Sequence, residues 1–210
     1  MKIISPSGET RPFSTEQSAE IKSALQAGQV IVYPTDTLYG LGADATSSEA
    51  VDLLYVLKSR VNSPVSVLLA SISQLFDLTS DLSENAAELI KSFMPGPLTV
   101  ICRSEYGFAP QLISQNGTIG FRVPGDAISH EIPELFGKPI TTTSVNPTGM
   151  APASSRSEVE AYYNDLVELM IDVGPMKPSK GSTVIDLTTS PFKILREGEI
   201  SRQALQDFLN

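Results

Sequence analysis

Residues 29–42 read Gln29-Val30-Ile31-Val32-Tyr33-Pro34-Thr35-Asp36-Thr37-Leu38-Tyr39-Gly40-Leu41-Gly42. Val30, Ile31 and Val32 run together, without the polar alternation of a strand that has one wet face. Such a run, over Gln29–Tyr33, reads as a buried strand. It runs directly into a Pro, two hydroxyls, a carboxylate and then two glycines. Ligands in α/β folds bind at strand ends, so this junction is a candidate site. A tight turn, with Thr and Asp satisfying backbone groups, is the alternative reading.

The flanking sequence supplies helices and further strands. Ser14-Thr15 caps a helix over Glu16–Ala27, with Ile21, Ala24 and Leu25 on one face and Gly28 as its stop. Ser47 or Ser48 caps a second, carrying Ala50, Val51, Leu54 and Leu57 at helical spacing. A third covers Ser83–Met94 and ends at Pro95-Gly96-Pro97. Strands are predicted at Val65–Ala70, Leu98–Cys102, Thr118–Val123, Pro139–Thr143, Leu169–Val173, Thr183–Leu187 and Lys193–Arg196. More helices fall near Ala127–Phe136, Ser157–Tyr163 and Ser201–Leu209. Strands and helices mix without segregating, which predicts an α/β fold with a largely buried sheet. The alternation is not regular βαβ, so the sheet is expected to be mixed rather than doubly wound parallel. No repeat, long linker or low-complexity stretch interrupts the chain, and residues 1–210 are expected to form a single domain.

Composition excludes several chemistries. The 15 Lys and Arg against 24 Asp and Glu leave a net charge of −9. That argues against nucleic-acid binding by the whole surface and leaves a local basic site open. Cys102 is the one Cys and His130 the one His. A structural zinc site needs about four such ligands, and a disulfide framework needs paired cysteines. No apolar run approaches the roughly 20 residues of a membrane span. Met1–Pro6 has no apolar core of the signal-peptide kind. The expected location is cytoplasmic.

The standard phosphate loops are missing. Gly40-Leu41-Gly42 lacks the third glycine of a dinucleotide fingerprint, and Lys180-Gly181-Ser182-Thr183 has Walker A letters in the wrong order. There is no nucleophile elbow. Cys102, at the end of an apolar run, reads first as a small buried hydrophobe, and His130 as a helix-surface residue.

Further stretches stand out. Lys58 and Arg60 in Leu57-Lys58-Ser59-Arg60 lie about 200° apart on a continuous helix. They converge only if the helix ends there; otherwise they simply complement its C-terminal dipole. Thr141 to Gly149 is a strand that dissolves into hydroxyls, Asn146, Pro147 and Gly149. It suits phosphate oxygens or a base edge, or is a plain Ser/Thr-rich loop. Arg122 sits inside the apolar strand Gly120-Phe121-Arg122-Val123, where an unpaired charge is costly. Arg196 repeats the pattern, with Glu197 as an available partner.

Taken together, these stretches resemble the YrdC family, the threonylcarbamoyl-AMP synthases, over about Ala24 to Ile200. Lys58-Ser59-Arg60 and Ser144-Val145-Asn146 look like the two halves of the family's Lys-x-Arg and Ser-x-Asn signature. Residues 34–42, 95–99, 122–124, 182–187 and 195–198 resemble further family blocks, in family order. The resemblance is to the short form, without the extra C-terminal domain of the longer branch. It implies a twisted sheet flanked by helices, with a concave cationic cleft. The implied reaction converts L-threonine, bicarbonate and ATP into threonylcarbamoyl-AMP and pyrophosphate, and a downstream transferase carries the group to tRNA.

That chemistry needs no enzyme nucleophile. Threonine's amine and bicarbonate form a carbamate, whose oxygen attacks the α-phosphate. The protein contributes positioning and charge neutralisation. The resemblance makes Lys58, Arg60, Ser144 and Asn146 the catalytic set. It assigns Thr35, Arg122, Thr142 and Ser182 to threonine, with Arg122 gripping the carboxylate through its fork. It assigns Arg60, Ser63, Thr118, Ser144, Asn146, Pro152 and Arg196 to ATP. Mg²⁺ is expected to bridge phosphates through water, with no ligand from protein side chains. Two positions depart from the family. Ser63 brings no positive charge where many members carry one, and Leu68 replaces a His that faces threonine. Two other readings remain: an RNA-binding module that holds tRNA or double-stranded RNA by its phosphates, and a diverged paralogue acting on another carbamoyl substrate.

Overall fold

The computed structural model describes residues 1–6, 12–59, 65–163 and 166–209. Serine caps open most of its helices. Ser14 accepts from the Gln17 backbone N–H, and its own N–H donates to the Gln17 side chain, a capping box that opens α1 (Thr15–Gln26). Ser47, Ser71 and Ser83 do the first half of this for α2 (Ser48–Leu57), α3 (Ile72–Leu78) and α4 (Glu84–Phe93). Asp126 caps α5 (Ala127–Phe136), which ends at Gly137 in the left-handed region. The sixth helix is α6 (Arg156–Tyr163).

Ten strands among the described residues form one sheet. They are β1 (Lys2–Ile4), β2 (Ile31–Pro34), β3 (Tyr39–Gly42), β4 (Ser66–Leu68), β5 (Leu98–Arg103), β6 (Thr118–Arg122), β7 (Ile140–Ser144), β8 (Leu169–Ile171), β9 (Thr183–Asp186) and β10 (Lys193–Arg196). Their spatial order is β1-β8-β2-β3-β7-β4-β6-β5-β9-β10. The β2–β8, β4–β6 and β5–β9 pairs are parallel, and β2–β3, β3–β7 and β5–β6 antiparallel. The fold is therefore α/β with a mixed sheet flanked by helices, as predicted.

Some elements differ from the sequence reading. The turn after β2 leads straight into β3, a strand whose two glycines spoil its propensity. The glycines are there for Tyr33. A Cβ at Gly42 would lie 2.7 Å from Tyr33 Cε1, and one at Gly40 3.2 Å from Tyr33 Cζ. The short β1 and α3 were not predicted either. Gln203–Phe208, predicted as part of an α-helix, is a 3₁₀ helix.

The two faces of the sheet differ in cover. Val32, Val67, Val100, Ile119, Phe121 and Ile185 point into the larger core, which α2 and α4 close. Ile31, Tyr33, Leu68 and Ile140 point the other way, into a second core closed by Ile21 and Leu25 of α1 and Ile132 and Phe136 of α5. Along β5, β6 and the entry to β9 this second face carries Thr99, Gly120, Arg122 and Ser182 beside Ile101 and Val184, and it lines a cleft of about 410 Å³. The cleft is the part of that face beyond the α1–α5 cover.

Candidate active site

One wall of the cleft is the β2–β3 turn. Thr35 Oγ1 donates to the Leu38 carbonyl at 2.8 Å and accepts the Thr37 and Leu38 N–H groups at 3.1 Å each. Thr37 Oγ1 lies 3.0 Å from Thr35 Oγ1 and accepts from Arg122 Nη1 at 3.1 Å. With Thr35's proton committed to Leu38, Thr37 is the donor of the hydroxyl pair. The Asp36 carboxylate pairs with Arg122 Nη2 and accepts the Gly125 N–H at 3.2 Å. The segment is both a satisfied tight turn and a cleft wall, so the two sequence readings of it hold together. Arg122 is 5% exposed, and its Nε has no partner among the described residues.

The facing wall is built on Ser182. Its hydroxyl lies 2.8 Å from Thr99 Oγ1. Arg196 donates to the Ser182 carbonyl through Nη2 at 2.8 Å and Nε at 3.2 Å, and to its hydroxyl at 3.1 Å. Burial, and then the charge of Arg122, hold the Arg196 guanidinium below its ordinary pKa. Two like charges close enough to feel each other favour an anion between them.

Ser66, Gly120, Thr142 and Ser144 add small and hydroxyl side chains to the lining. A Cβ at Gly120 would meet Ser66 Oγ at 2.7 Å. Ser144 Oγ donates to Asn146 Oδ1 at 2.5 Å. Lys58, at the end of α2, is 3% exposed. It donates to Asn146 Oδ1 at 3.0 Å and to the Ser144 carbonyl at 2.6 Å.

Thr35, Arg122, Thr142, Ser144, Pro152, Ser182 and Arg196 thus line one cleft. Lys58 and Asn146 are not among its lining residues; they hold Ser144 from behind. Thr118 shares the cleft face of β6 with Gly120 and Arg122 by strand periodicity, but its hydroxyl pairs with Ser114 at 2.7 Å, outside the cleft lining. Arg60 and Ser63 lie outside the described residues. Leu68 is fully buried in the second core and lies opposite Arg122 in the β4–β6 pairing. Thr37, Ser66, Thr99 and Lys180 also line the cleft and carried no individual site role from sequence. For Thr99 a signal existed: it alternates with the core residues Leu98 and Val100.

Comparison with known proteins bears directly on this arrangement. The Sua5/YciO/YrdC family model, described as "Telomere recombination", matches residues 23–198. The chain belongs to the Sua5/YciO/YrdC family. Within it, a Mycobacterium tuberculosis relative is 34% identical over 187 residues, 89% of this chain and 86% of its own. The threonylcarbamoyl-AMP synthase of Pyrococcus abyssi is 34% identical over 186 residues, 87% of this chain and 54% of its own. The crystal structure of P. abyssi Sua5 complexed with L-threonine superposes with a TM-score of 0.91 at 28% identity, covering 100% of this chain and 61% of that one. The Sua5/YciO/YrdC match takes in every cleft residue named above.

Proposed function

We propose that this chain is a threonylcarbamoyl-AMP synthase. It converts L-threonine, bicarbonate and ATP into threonylcarbamoyl-AMP, pyrophosphate and water, and the threonylcarbamoyl-AMP feeds tRNA modification through a downstream transferase. The observation that carries this reading is the cleft itself. It unites Thr35, Arg122, Thr142 and Ser182, suited to an amino acid, with Ser144, Pro152 and Arg196, suited to a nucleotide. The P. abyssi relative carries that enzyme name, and its structure holds L-threonine.

The residues fit the chemistry. Arg122 offers its unpartnered Nε to the threonine carboxylate. The threonine amine condenses with bicarbonate to a carbamate, releasing water, and a carbamate oxygen attacks the α-phosphate as pyrophosphate leaves. Arg196, with Arg60 of the signature, offsets the charge that builds on the phosphates, and Lys58 holds Ser144 in place for them. Neither Cys102 nor His130 lines the cleft. Burial pushes the Cys102 thiol up to about 12, so it is an inert core residue. The lining carries hydroxyls and cations and no carboxylate among the described residues. A magnesium ion there would be held by phosphate oxygens and water, where it neutralises phosphate charge.

In this reading residues 1–210 act as one domain in the cytoplasm. The sheet, which runs from Lys2 to Arg196, supports the first point. Among the described residues no helix is long and apolar enough to cross a membrane. The deciding experiment is pyrophosphate release, dependent on threonine and bicarbonate, with mass detection of threonylcarbamoyl-adenylate. Absence of that product overturns the reading. Preference for another amino acid overturns the substrate assignment, and tight duplex-RNA binding at physiological salt without turnover replaces the enzyme with an RNA-binding module.

A further inference from the structure

We propose that Asp36 is a positioning residue: it locks the Arg122 guanidinium so that one edge of the fork stays free for the carboxylate of the amino-acid substrate. The proposal rests on the reading of the cleft as a threonine site. It deepens that reading by adding a residue that touches Arg122 and has no assigned role of its own.

An arginine carries five N–H donors on a planar fork. Here Thr37 takes one on Nη1 and Asp36 takes one on Nη2. Nε, buried, has no partner among the described residues. An unpartnered buried donor is unfavourable, and it is tolerated where a ligand is meant to complete it. A carboxylate that takes Nε and a neighbouring N–H makes the bidentate contact for which the fork is shaped.

The long arginine side chain loses rotamer freedom when it grips a ligand. Asp36 and Thr37 have already removed that freedom. Asp36 is fixed in turn, because its second carboxylate oxygen accepts the Gly125 N–H at 3.2 Å. A Cβ at Gly125 would lie 3.3 Å from that oxygen and 3.3 Å from Gly96 Cα, so a side chain there would crowd the contact. The carboxylate also gives the buried guanidinium a counter-charge while no substrate is bound. Asp36 contacts Arg122 and Gly125 and none of the residues assigned to the nucleotide, so its removal is expected to act mainly on the amino acid.

The test is steady-state kinetics on D36N and D36A, with the thermal midpoint recorded for each. D36A is expected to raise the threonine KM about tenfold or more, with the ATP KM within about twofold of wild type. D36N, which keeps the shape and loses the charge, is expected to show the same split at smaller amplitude, and it stands in if D36A does not fold. On an R122K background, D36A is expected to change the threonine KM by less than about twofold, since its partner's fork is gone. Equal rises in both KM values, or full multiplicative loss on R122K, overturn the positioning role in favour of a merely structural one. An active wild type with a threonine KM unmoved by D36N overturns this proposal alone. A wild type that makes no threonine-dependent product overturns the functional reading and this proposal with it.

Discussion

Lys58 Nζ lies 3.0 Å from Asn146 Oδ1, joining residues 88 apart in the chain. The contact is reciprocated: Thr148 donates both its backbone N–H and its hydroxyl to the Lys58 carbonyl, each at 2.9 Å. Lys58 of the first signature piece and Ser144 and Asn146 of the second are one physical unit. The end of α2 is clamped onto the turn after β7, and Ser144 is held at the cleft edge as a result.

Removing the clamp should cost stability and activity together. K58A leaves the Ser144 carbonyl and Asn146 Oδ1 without their charged donor, a loss of about 1–3 kcal/mol of folding stability. Its kcat/KM should fall by the equivalent of about 2–4 kcal/mol of transition-state stabilisation. R60A is expected to lose a similar amount of activity. Pyrophosphate-release rates with thermal melts check this, and a wild-type rate in either variant removes that residue from the catalytic set.

Gly198 is a second structural pin. A Cβ there would lie 2.2 Å from the Gly181 carbonyl oxygen and 2.5 Å from Ser182 C, both backbone atoms with no room to yield. G198A should therefore displace the Gly181–Ser182 segment from Arg196 and Thr99. The expected cost is about 1–3 kcal/mol of stability or more, with a rise in threonine KM. An unchanged melting temperature would falsify the packing argument.

Arg196 braces Ser182 with two nitrogens on one carbonyl. A lysine supplies a point charge and no fork. R196K should therefore raise the KM for ATP and, through the loosened Ser182, for threonine as well, each by about tenfold or less. That pattern is the opposite of the split expected for D36A. Varying each substrate in turn distinguishes them.

Cys102 links the fold to alkaline pH. Burial, and then the charge of Asp186, push its pKa up to about 12, against about 8.5 for an unfolded thiol. Between those values the unfolded chain binds fewer protons than the folded one, so this group's contribution to stability falls as pH rises. The slope is at most about 1.4 kcal/mol per pH unit. C102A should flatten the decline in stability above about pH 8.5 while leaving activity near wild type. Urea melts from pH 8 to 10 read the slope. Rapid alkylation of the native thiol at pH 8 would contradict its burial.

Much of the architecture was legible because it is local. Ser14, Ser47 and Ser83 announce their helices through a side-chain oxygen and a backbone N–H three residues on. Val30–Val32 and Leu98–Cys102 announce buried strands by apolar runs. β3 was not legible: its glycines serve the ring of Tyr33, which sits on a different strand. The cleft residues were legible as residue types out of place, such as Arg122 inside an apolar strand. Their partners were not, since Asp36 and Arg122 are 86 positions apart.

The single His and single Cys by themselves excluded a structural zinc site and a disulfide framework, and the family resemblance implied chemistry done by placement and charge. Strand and helix periodicity by itself determined a mixed α/β fold. Periodicity gives each strand two faces and says nothing about what covers them. Only the tertiary structure decided that α1 and α5 cover one end of the sheet and leave Thr99, Gly120, Arg122 and Ser182 facing a cleft. It also decided that Lys58 turns inward to hold Ser144, and that Arg122 meets Asp36. The reason is the same in each case: burial and ion pairing depend on which distant segments arrive, and distance in space is not written in the spacing of residues along the chain.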